Sequence, residues 1–192
     1  EKTPTASSSA QFATGATEAM KKCFTPDNDS YYVSYKNDGE LHLEVKVSDL
    51  YYKGGTFYTD SACTSSTSMT KISEAVKCLN STGKIHMLSQ YASSASETVD
   101  VPANTNITVI RESSFADASM FKITGGTFTV NAEDPTSSIT FDGQKIVTSS
   151  EMGGAFFANN GSIQLNGTNK SGGGKTITIQ NNTIQPPSSS YV

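Results

Sequence analysis

The stretch GGAFFANNG, residues 153–161, places two phenylalanines between residues that favour turns. Gly153 and Gly154 can adopt backbone conformations that a Cβ atom makes costly, and asparagine enters the left-handed region more readily than most residues. The only large apolar side chains in the stretch are Phe156 and Phe157. The pattern therefore predicts a very short strand with a turn at each end.

Similar short strands recur after residue 80, where apolar residues come in pairs two positions apart. Because side chains alternate across a strand, each pair points two apolar groups to one side. Glycine, asparagine, serine, threonine and aspartate fill the intervals, so helices do not fit there. The pairs are Ile85/Met87, Val99/Val101, Ile107/Val109, Phe121/Ile123, Phe128/Val130, Ile139/Phe141, Ile163/Leu165 and Ile177/Ile179.

The distances between these strands are nearly constant. Almost equal steps connect positions 85 and 107, 99 and 121, 107 and 128, 139 and 163, and 157 and 179. Short strands that recur at a fixed period in the low twenties are typical of a solenoid. We therefore predict a parallel β-helix of about four or five coils, with apolar columns inside.

This period assigns a place to each residue of the opening stretch. Phe157 precedes Ile179 by one such period and is expected to point into the interior column. Asn159 or Asn160 then turns the chain at a corner. The segments GGTFTVN at 125–131 and TITIQNNT at 176–183 are expected to repeat the unit one coil earlier and one coil later.

The first part of the chain has a different pattern. SYYVSY at 30–35, ELHLEVKV at 40–47 and GGTFYTD at 54–60 alternate apolar and polar residues. Alternation with turn residues between the segments predicts an antiparallel hairpin or a three-stranded meander with one face in water. The turn between the first two segments is expected at NDG, residues 37–39, because these residues tolerate positive φ.

Four segments follow from these patterns: a flexible leader over 1–15, a cap and hairpin subdomain over 16–70, β-helix coils over 71–185 and a tail over 186–192. Helix-like pieces at 17–23 and 73–78 flank the hairpin region. Either the hairpins are inserted behind a helical cap, or a helix-then-strand unit is duplicated; we favour the first. The class is therefore all-β, with an N-terminal helical cap and β-hairpin subdomain.

Composition restricts the partners. The net charge is -4 and only 17% of residues are charged, so no basic surface is available for nucleic acid. No window approaches the roughly 20 apolar residues that cross a bilayer, so we expect no membrane insertion by this segment.

The chain has three cysteines, and the spacing of Cys23, Cys63 and Cys78 does not match that of metal ligands. They form either one disulfide and one free thiol, which is the interpretation we favour, or three buried thiols. We predict no cofactor and a monomer.

Few residues indicate catalysis. His42 and His86 each alternate with apolar residues and are expected to face outward on strands. The Gly174-Lys175-Thr176 sequence lacks the earlier glycine of a phosphate-binding loop and precedes a strand, so we interpret it as a solenoid corner. Carboxylates for acid–base chemistry lie on candidate turns but do not recur at the coil period; they are Asp117, Glu133, Asp134, Asp142 and Glu151.

Tyrosines are dense in the first half of the chain. A tyrosine combines an apolar ring with a polar tip, which suits a contact surface as well as hairpin packing. The candidate contact residues are Tyr31, Tyr32, Tyr35, Tyr51 and Tyr52, and Tyr58 belongs to the same group.

Two overlapping motifs resemble those of a known family. The chain carries them in succession, as Gly153-Gly154-Ala155-Phe156 and Phe157-Ala158-Asn159-Asn160. The first is similar to the GGA-plus-apolar tetrad and the second to the FxxN motif of chlamydial polymorphic outer membrane proteins and related autotransporter passengers. The resemblance covers roughly residues 71–185. It implies a right-handed parallel β-helix of the pectin-lyase-like class, in a protein exposed at the bacterial surface.

The expected function follows from this resemblance and from the solenoid. We expect the leading part of an exported adhesin-like protein, at the cell surface, in the outer membrane or outside the cell, that binds a host or bacterial surface protein or glycan without catalysis. A β-helical polysaccharide lyase or hydrolase is the first alternative. A structural spacer of a surface protein is the second.

Overall fold

The computed structural model describes residues 10–14, 30–35, 40–115, 118–148 and 154–184. It divides into two units, Glu1–Val47 and Ser48–Val192. The first contains a three-stranded antiparallel sheet in the order β1-β3-β2. The pairing of β2 with β3 confirms the hairpin expected for the first two alternating segments. The third strand is β1, from the residues expected to form a flexible leader, and the alternating segment at 54–60 lies in the second unit instead. The NDG turn and the helix-like piece at 17–23 lie outside the described residues. The strands are β1 Ala10–Thr14, β2 Tyr31–Tyr35 and β3 Glu40–Val45.

The second unit begins with a hairpin and a short helix. Strands β4 (Val47–Lys53) and β5 (Thr56–Tyr58) pair antiparallel, and Gly54 and Gly55 make the turn with φ of 58° and 92°. Helix α1 (Ile72–Cys78) follows, which confirms the helical piece expected at 73–78. The hairpin continues the solenoid, because β4 lies beside the first solenoid strand in one sheet.

The rest of the unit winds into a parallel β-solenoid of about three turns, which confirms the predicted fold class. Its strands are β6 Leu79–Met87, β7 Tyr91–Ser93, β8 Glu97–Asp100, β9 Asn106–Arg111, β10 Phe121–Ile123, β11 Thr127–Ala132, β12 Ser138–Asp142, β13 Val147–Thr148, β14 Phe156–Ala158, β15 Ser162–Gly167, β16 Ile177–Gln180 and β17 Thr183–Ile184. Three sheets form its sides: β7-β10-β14, β8-β11-β15 and β6-β9-β12-β16, with a short β13-β17 pair.

The register corrects the predicted period. Ile85 pairs with Val109, Ile107 with Ile139 and Ile139 with Ile177, so each step along this side of the solenoid is longer than the one before it. The coils lengthen because their turns lengthen, and about three turns replace the four or five expected. Apart from the first step, the predicted spacing connects strands on two different sides of the solenoid.

The same register corrects the place of the opening phenylalanines. Phe121 pairs with Phe156, whose ring stacks on it at 5.1 Å, whereas Phe157 pairs with Lys122 and faces outward with it. Phe156 therefore joins the interior column that was assigned to Phe157. The segments at 125–131, 153–161 and 176–183 lie on three different sides, so they repeat a side of the coil and not a whole coil.

Aromatic rings fill the interior. Phe121 is fully buried and contacts the rings of Tyr91, Phe128, Phe141 and Phe156, with centroids 5.1 to 5.8 Å apart. Apolar pairs of the first coils surround these rings with nearly all of their surface buried. Stacking in register thus converts short, separate apolar pairs into one continuous core.

The corner before β14 depends on Gly154. Its φ is 96°, a conformation that residues with a Cβ rarely adopt, which confirms the turn expected from the paired glycines. Asn160, with φ of 59°, makes the turn after the strand. Gly153 lies outside the described residues.

A buried arginine holds this corner to the preceding coil. Arg111 is 1% exposed and its guanidinium donates to the carbonyls of Phe115, Ala118 and Gly154 at 3.2, 2.7 and 2.6 Å. Burial lowers the pKa of Arg111. The alternation Ile107, Val109, Arg111 is the sequence signal for its inward position, although arginine is mostly exposed in proteins.

Candidate functional site

The outer surface of the β8-β11-β15 sheet carries a regular array of hydroxyl and amide groups. We call this array the polar face. Pairing in register aligns Thr98 with Thr129 and Gln164, and Asp100 with Asn131 and Asn166. All members are exposed or half-buried. The polar face consists of Thr98, Asp100, Thr127, Thr129, Asn131, Ser162, Gln164 and Asn166.

Hydrogen bonds between strands hold these side chains in place. Asn166 Nδ2 donates to Asn131 Oδ1 at 2.8 Å, and Asn131 Nδ2 donates to Asp100 Oδ1 at 2.8 Å. The hydroxyls of Thr127 and Ser162 lie 2.8 Å apart. The side chains therefore form polar ladders across the strands on the outer side of this sheet.

The polar face has the chemistry of a binding surface. Neighbouring strands lie about 4.8 Å apart, and alternate residues along a strand lie about 6.8 Å apart, so the side chains form a flat grid of donors and acceptors. Asp100 carries its one ionisable group, so the grid suits neutral, hydroxyl-rich partners more than charged ones. Because these side chains are already ordered by hydrogen bonds, binding of a partner would cost less side-chain conformational entropy.

A second cluster surrounds His86 on the outer side of the adjacent sheet. His86 Nδ1 lies 2.6 Å from Glu112 Oε1, and Nε2 lies 3.0 Å from Asp49 Oδ1. The Tyr51 ring stacks on the imidazole with centroids 4.6 Å apart. The outward position of His86 confirms the prediction, but its carboxylate neighbours were not predicted, since 49, 86 and 112 are far apart in sequence.

The environment of this cluster shifts the pKa values of two groups. The hydroxyl of Ser48 and then the imidazole of His86 donate to Asp49 and lower the pKa of that carboxyl. Burial, and then the charges of Asp49 and Glu112, raise the pKa of the Tyr51 hydroxyl. Both ring nitrogens of His86 are engaged, so the cluster mainly fastens the β4–β5 hairpin to β6 and β9.

The tyrosines proposed for contact divide into two groups. Tyr31, Tyr32 and Tyr35 are half-buried on β2, and Tyr51 is half-buried over His86. Tyr52 is only 3% exposed because its ring packs against Phe57 and Tyr91. Tyr52 therefore belongs to the core and is withdrawn from the contact surface.

The cysteines of the described residues are not joined to each other. Cys63 is half-buried, with φ of 56°, and Cys78 is buried in α1, where its thiol donates to the Glu74 carbonyl at 3.2 Å. Cys23 lies outside the described residues. A bridge to Cys23 stays a prediction.

Two of the turn carboxylates, Asp134 and Asp142, have structural partners, and Glu133 is exposed. Burial by itself would raise the pKa of Asp142, but hydrogen bonds from Gln180, the Gln144 amide and Asn181 outweigh this effect and lower it. Asp134 accepts from the backbone and hydroxyl of Thr136 at 2.8 and 2.5 Å, which also lowers its pKa. Asp117 and Glu151 lie outside the described residues.

These lowered pKa values predict loss of stability in acid. The pKa values of Asp49, Asp60, Asp134 and Asp142 lie below the usual 3.8 in the folded chain. Their stabilising contribution is therefore complete above about pH 4 and is lost as the pH falls through the folded-state values. The urea midpoint should stay level from pH 7 to 5 and fall by pH 3.

The Asp142→Asn variant supplies the control, since an amide does not titrate in this range. Its urea midpoint should be lower at pH 7 but should fall less steeply in acid. A wild-type midpoint that stays constant or rises between pH 5 and 3 would contradict the linkage.

The Gly174-Lys175-Thr176 sequence forms a solenoid corner, as expected. Gly173 and Gly174 have φ of 88° and 82°, and Lys175 Nζ donates to Asn169 Oδ1 at 2.6 Å. Strand β16 follows directly. Among the described residues there is no group of three or more metal-ligating side chains that could hold an ion. No described helix has the length and apolarity needed to cross a bilayer.

Comparisons with known proteins add no family. No family model, curated protein or solved structure gives a significant match to the chain.

Proposed function

We propose that this chain is part of an adhesin-like bacterial surface or secreted protein that binds host or neighbouring-cell surfaces without catalysis. The polar face is the observation that supports this function best. It offers ordered donors and acceptors in two directions, which suits an extended glycan with hydroxyl groups at regular intervals. The resemblance of GGAFFANN to polymorphic outer membrane proteins supports export to the surface.

The rigidity of the scaffold supports the same proposal. Strands of the polar face are fixed from behind by the buried residues Val99, Phe128 and Val130. A face that does not rearrange can repeat one contact from coil to coil, and several weak contacts then add to useful avidity. Solenoids also serve as enzymes, so the argument depends on this surface and not on the fold.

Binding of the labelled chain to cultured mammalian cells tests the proposal. Thr129→Lys places a long cation in the centre of the polar face and should weaken binding at least about tenfold, which corresponds to about 1.4 kcal/mol. Thr140→Lys is the matched control, because Thr140 is a half-buried outward threonine on another sheet. Removal of cell-surface glycans with glycosidases should reduce binding of the wild type to the level of Thr129→Lys.

Two results would overturn the proposal. Absence of wild-type binding to mammalian and bacterial cells would favour the structural spacer. Equal losses in Thr129→Lys and Thr140→Lys would place the contact elsewhere. Binding that survives removal of glycans but is lost in Thr129→Lys would keep the face and change the partner to a protein.

Carbohydrate cleavage is a second candidate, favoured by the carboxylates around His86. Asp49 and Glu112 are about one-third exposed, at 36% and 34%, and Tyr51 lies beside them. Two carboxylates at one exposed place are what acid and base catalysis of glycoside cleavage uses. Incubation with pectin, alginate and glycosaminoglycans should then give new reducing ends or unsaturated products, and Asp49→Asn should abolish them.

A further inference from the structure

The polar face contains a side chain that can only accept hydrogen bonds. A carboxylate has no hydrogen to donate, whereas hydroxyl and amide groups both donate and accept. The carboxylate of the polar face is that of Asp100, which is exposed on β8. The direction of each hydrogen bond that Asp100 makes is therefore fixed by its chemistry.

Asp100 sets the direction of a ladder of amides. Asn131 lies 2.8 Å from Asp100 Oδ1 and has to turn its Nδ2 toward that oxygen. The Oδ1 of Asn131 then points the other way, where it accepts from Asn166 Nδ2 at 2.8 Å. The orientation of Asn166 on β15 is thus set by a carboxylate two strands away, through the amide of Asn131.

The other contacts of the polar face can run in either direction. The hydroxyls of Thr127 and Ser162 lie 2.8 Å apart, and either of them can donate. Thr129 Oγ1 donates to Gln164 Oε1 at 3.4 Å, but a hydroxyl would equally accept from the nitrogen of a turned Gln164 amide. These contacts therefore do not fix a pattern of donors and acceptors, whereas the ladder that begins at Asp100 does.

The fixed ladder leaves a defined pair of groups for a partner. An amide nitrogen has two hydrogens, and an amide oxygen has two lone pairs. At the half-buried Asn131 the ladder uses one hydrogen, toward Asp100, and one lone pair, toward Asn166. One donor and one acceptor remain beside each other. A sugar hydroxyl matches such a pair because it donates and accepts, whereas a carboxylate or sulfate group only accepts and carries a charge.

We propose that Asp100 makes the polar face selective for neutral glycans over acidic ones. It orients the amides of Asn131 and Asn166 so that they match hydroxyl groups, and its charge repels an acidic group of a glycan bound beside it. Across one strand spacing in water, this repulsion amounts to a difference of about fivefold in affinity. The inference rests on the proposed function, since it takes the partner to be a glycan.

The Asp100→Asn variant tests the orientation of the ladder. Asparagine has nearly the size of aspartate but both donates and accepts, so the amides of Asn131 and Asn166 can then turn either way. In NMR spectra of the isotopically labelled chain, the side-chain amide signals of Asn166 should shift, although two strands separate it from the substitution. Glu133→Gln is the matched control, because it removes the same charge from an exposed residue just beyond β11 and should leave those signals in place.

Glycans released from mammalian cells, separated into a neutral and an acidic fraction and immobilised, test the selectivity. The wild type should bind the neutral fraction. Asp100→Asn should raise binding to the acidic fraction, relative to the neutral one, at least about fivefold. Glu133→Gln should keep the wild-type ratio, and circular dichroism should show the wild-type strand content in both variants, because both substituted side chains are exposed.

Several results would overturn the proposal. Asn166 signals that stay in place in Asp100→Asn would show that the carboxylate does not orient the ladder. A wild type that prefers the acidic fraction, or equal changes of the ratio in Asp100→Asn and Glu133→Gln, would contradict the selectivity. If the wild type binds the neutral fraction and Asp100→Asn keeps its ratio, this inference fails while the proposed function stands. If the wild type binds neither glycans nor cells, the proposed function fails and the selectivity fails with it.

Discussion

Phe121→Ala should lower the free energy of unfolding by about 3–5 kcal/mol, the usual cost of removing a buried phenylalanine. The ring is fully buried and contacts aromatic rings from three coils, among them Tyr91, Phe141 and Phe156. Its removal leaves a cavity between stacked coils that short strands cannot close by moving. Urea unfolding followed by circular dichroism measures the loss.

Phe157→Ala is the matched control. Phe157 is half-buried on the outer side of β14, next to Lys122 on β10. We expect a loss of at most about 1 kcal/mol, because solvent already reaches the ring and no closed cavity forms. Equal losses for the two substitutions would contradict the register, and a larger loss for Phe157→Ala would restore the stacking predicted from the period.

Arg111→Met should lower the free energy of unfolding by about 3 kcal/mol, since hydrogen bonds from charged donors contribute about 1.5–3 kcal/mol each and buried acceptors without partners are costly. Methionine fills much of the same space but donates no hydrogen bonds to the carbonyls of Phe115, Ala118 and Gly154. Part of this loss of stability is offset, because the substitution also removes the cost of keeping the arginine charge out of water.

Hydrogen exchange locates the effect of Arg111→Met. The Met120 amide donates to the Gly154 carbonyl at 3.0 Å, the same carbonyl that accepts from Arg111. The Met120 amide should therefore exchange its hydrogen faster when the arginine is removed. Lys122→Met is the control, because Lys122 is a half-buried cation on the outer side of the neighbouring strand β10. If Arg111→Met lowers the free energy of unfolding no more than Lys122→Met does, the guanidinium does not hold the corner.

Local patterns correctly predicted the class of fold. Alternation identifies the inward side chains of strands such as β9 and β12, and it needs no knowledge of neighbouring strands. Glycine and asparagine likewise indicate corners, because the tendency to adopt a positive φ depends on the type of residue. Gly154 and Asn160 lie where this argument placed them.

The period was wrong for a physical reason. Every side of a solenoid is the same local unit, a short strand followed by a turn, so sequence spacing does not distinguish one side from one coil. Turns cost little when they lengthen, because loop-closure entropy grows slowly with length. The later coils could therefore become longer than the first without disturbing the stacked strands.

The candidate sites were predictable to different degrees. Outward threonines and asparagines of the polar face follow from alternation, and their alignment into ladders needed only the register. The His86 cluster combines Asp49, Tyr51 and Glu112 from distant parts of the chain, and no local pattern connects them. Tyr52 was misassigned because Tyr51 and Tyr52 are adjacent in the same segment of sequence. Their side chains point to opposite faces of β4, and only that of Tyr52 enters the core.

Local patterns of residues suffice to predict that the second unit consists of short strands with one apolar side, joined at glycine and asparagine corners, because these properties belong to neighbouring residues. The folded molecule was needed to show which strands lie over one another, that Phe156 and not Phe157 enters the core, and that Arg111 is buried. Those choices depend on the lengths of distant turns and on which side chains fill the same interior together.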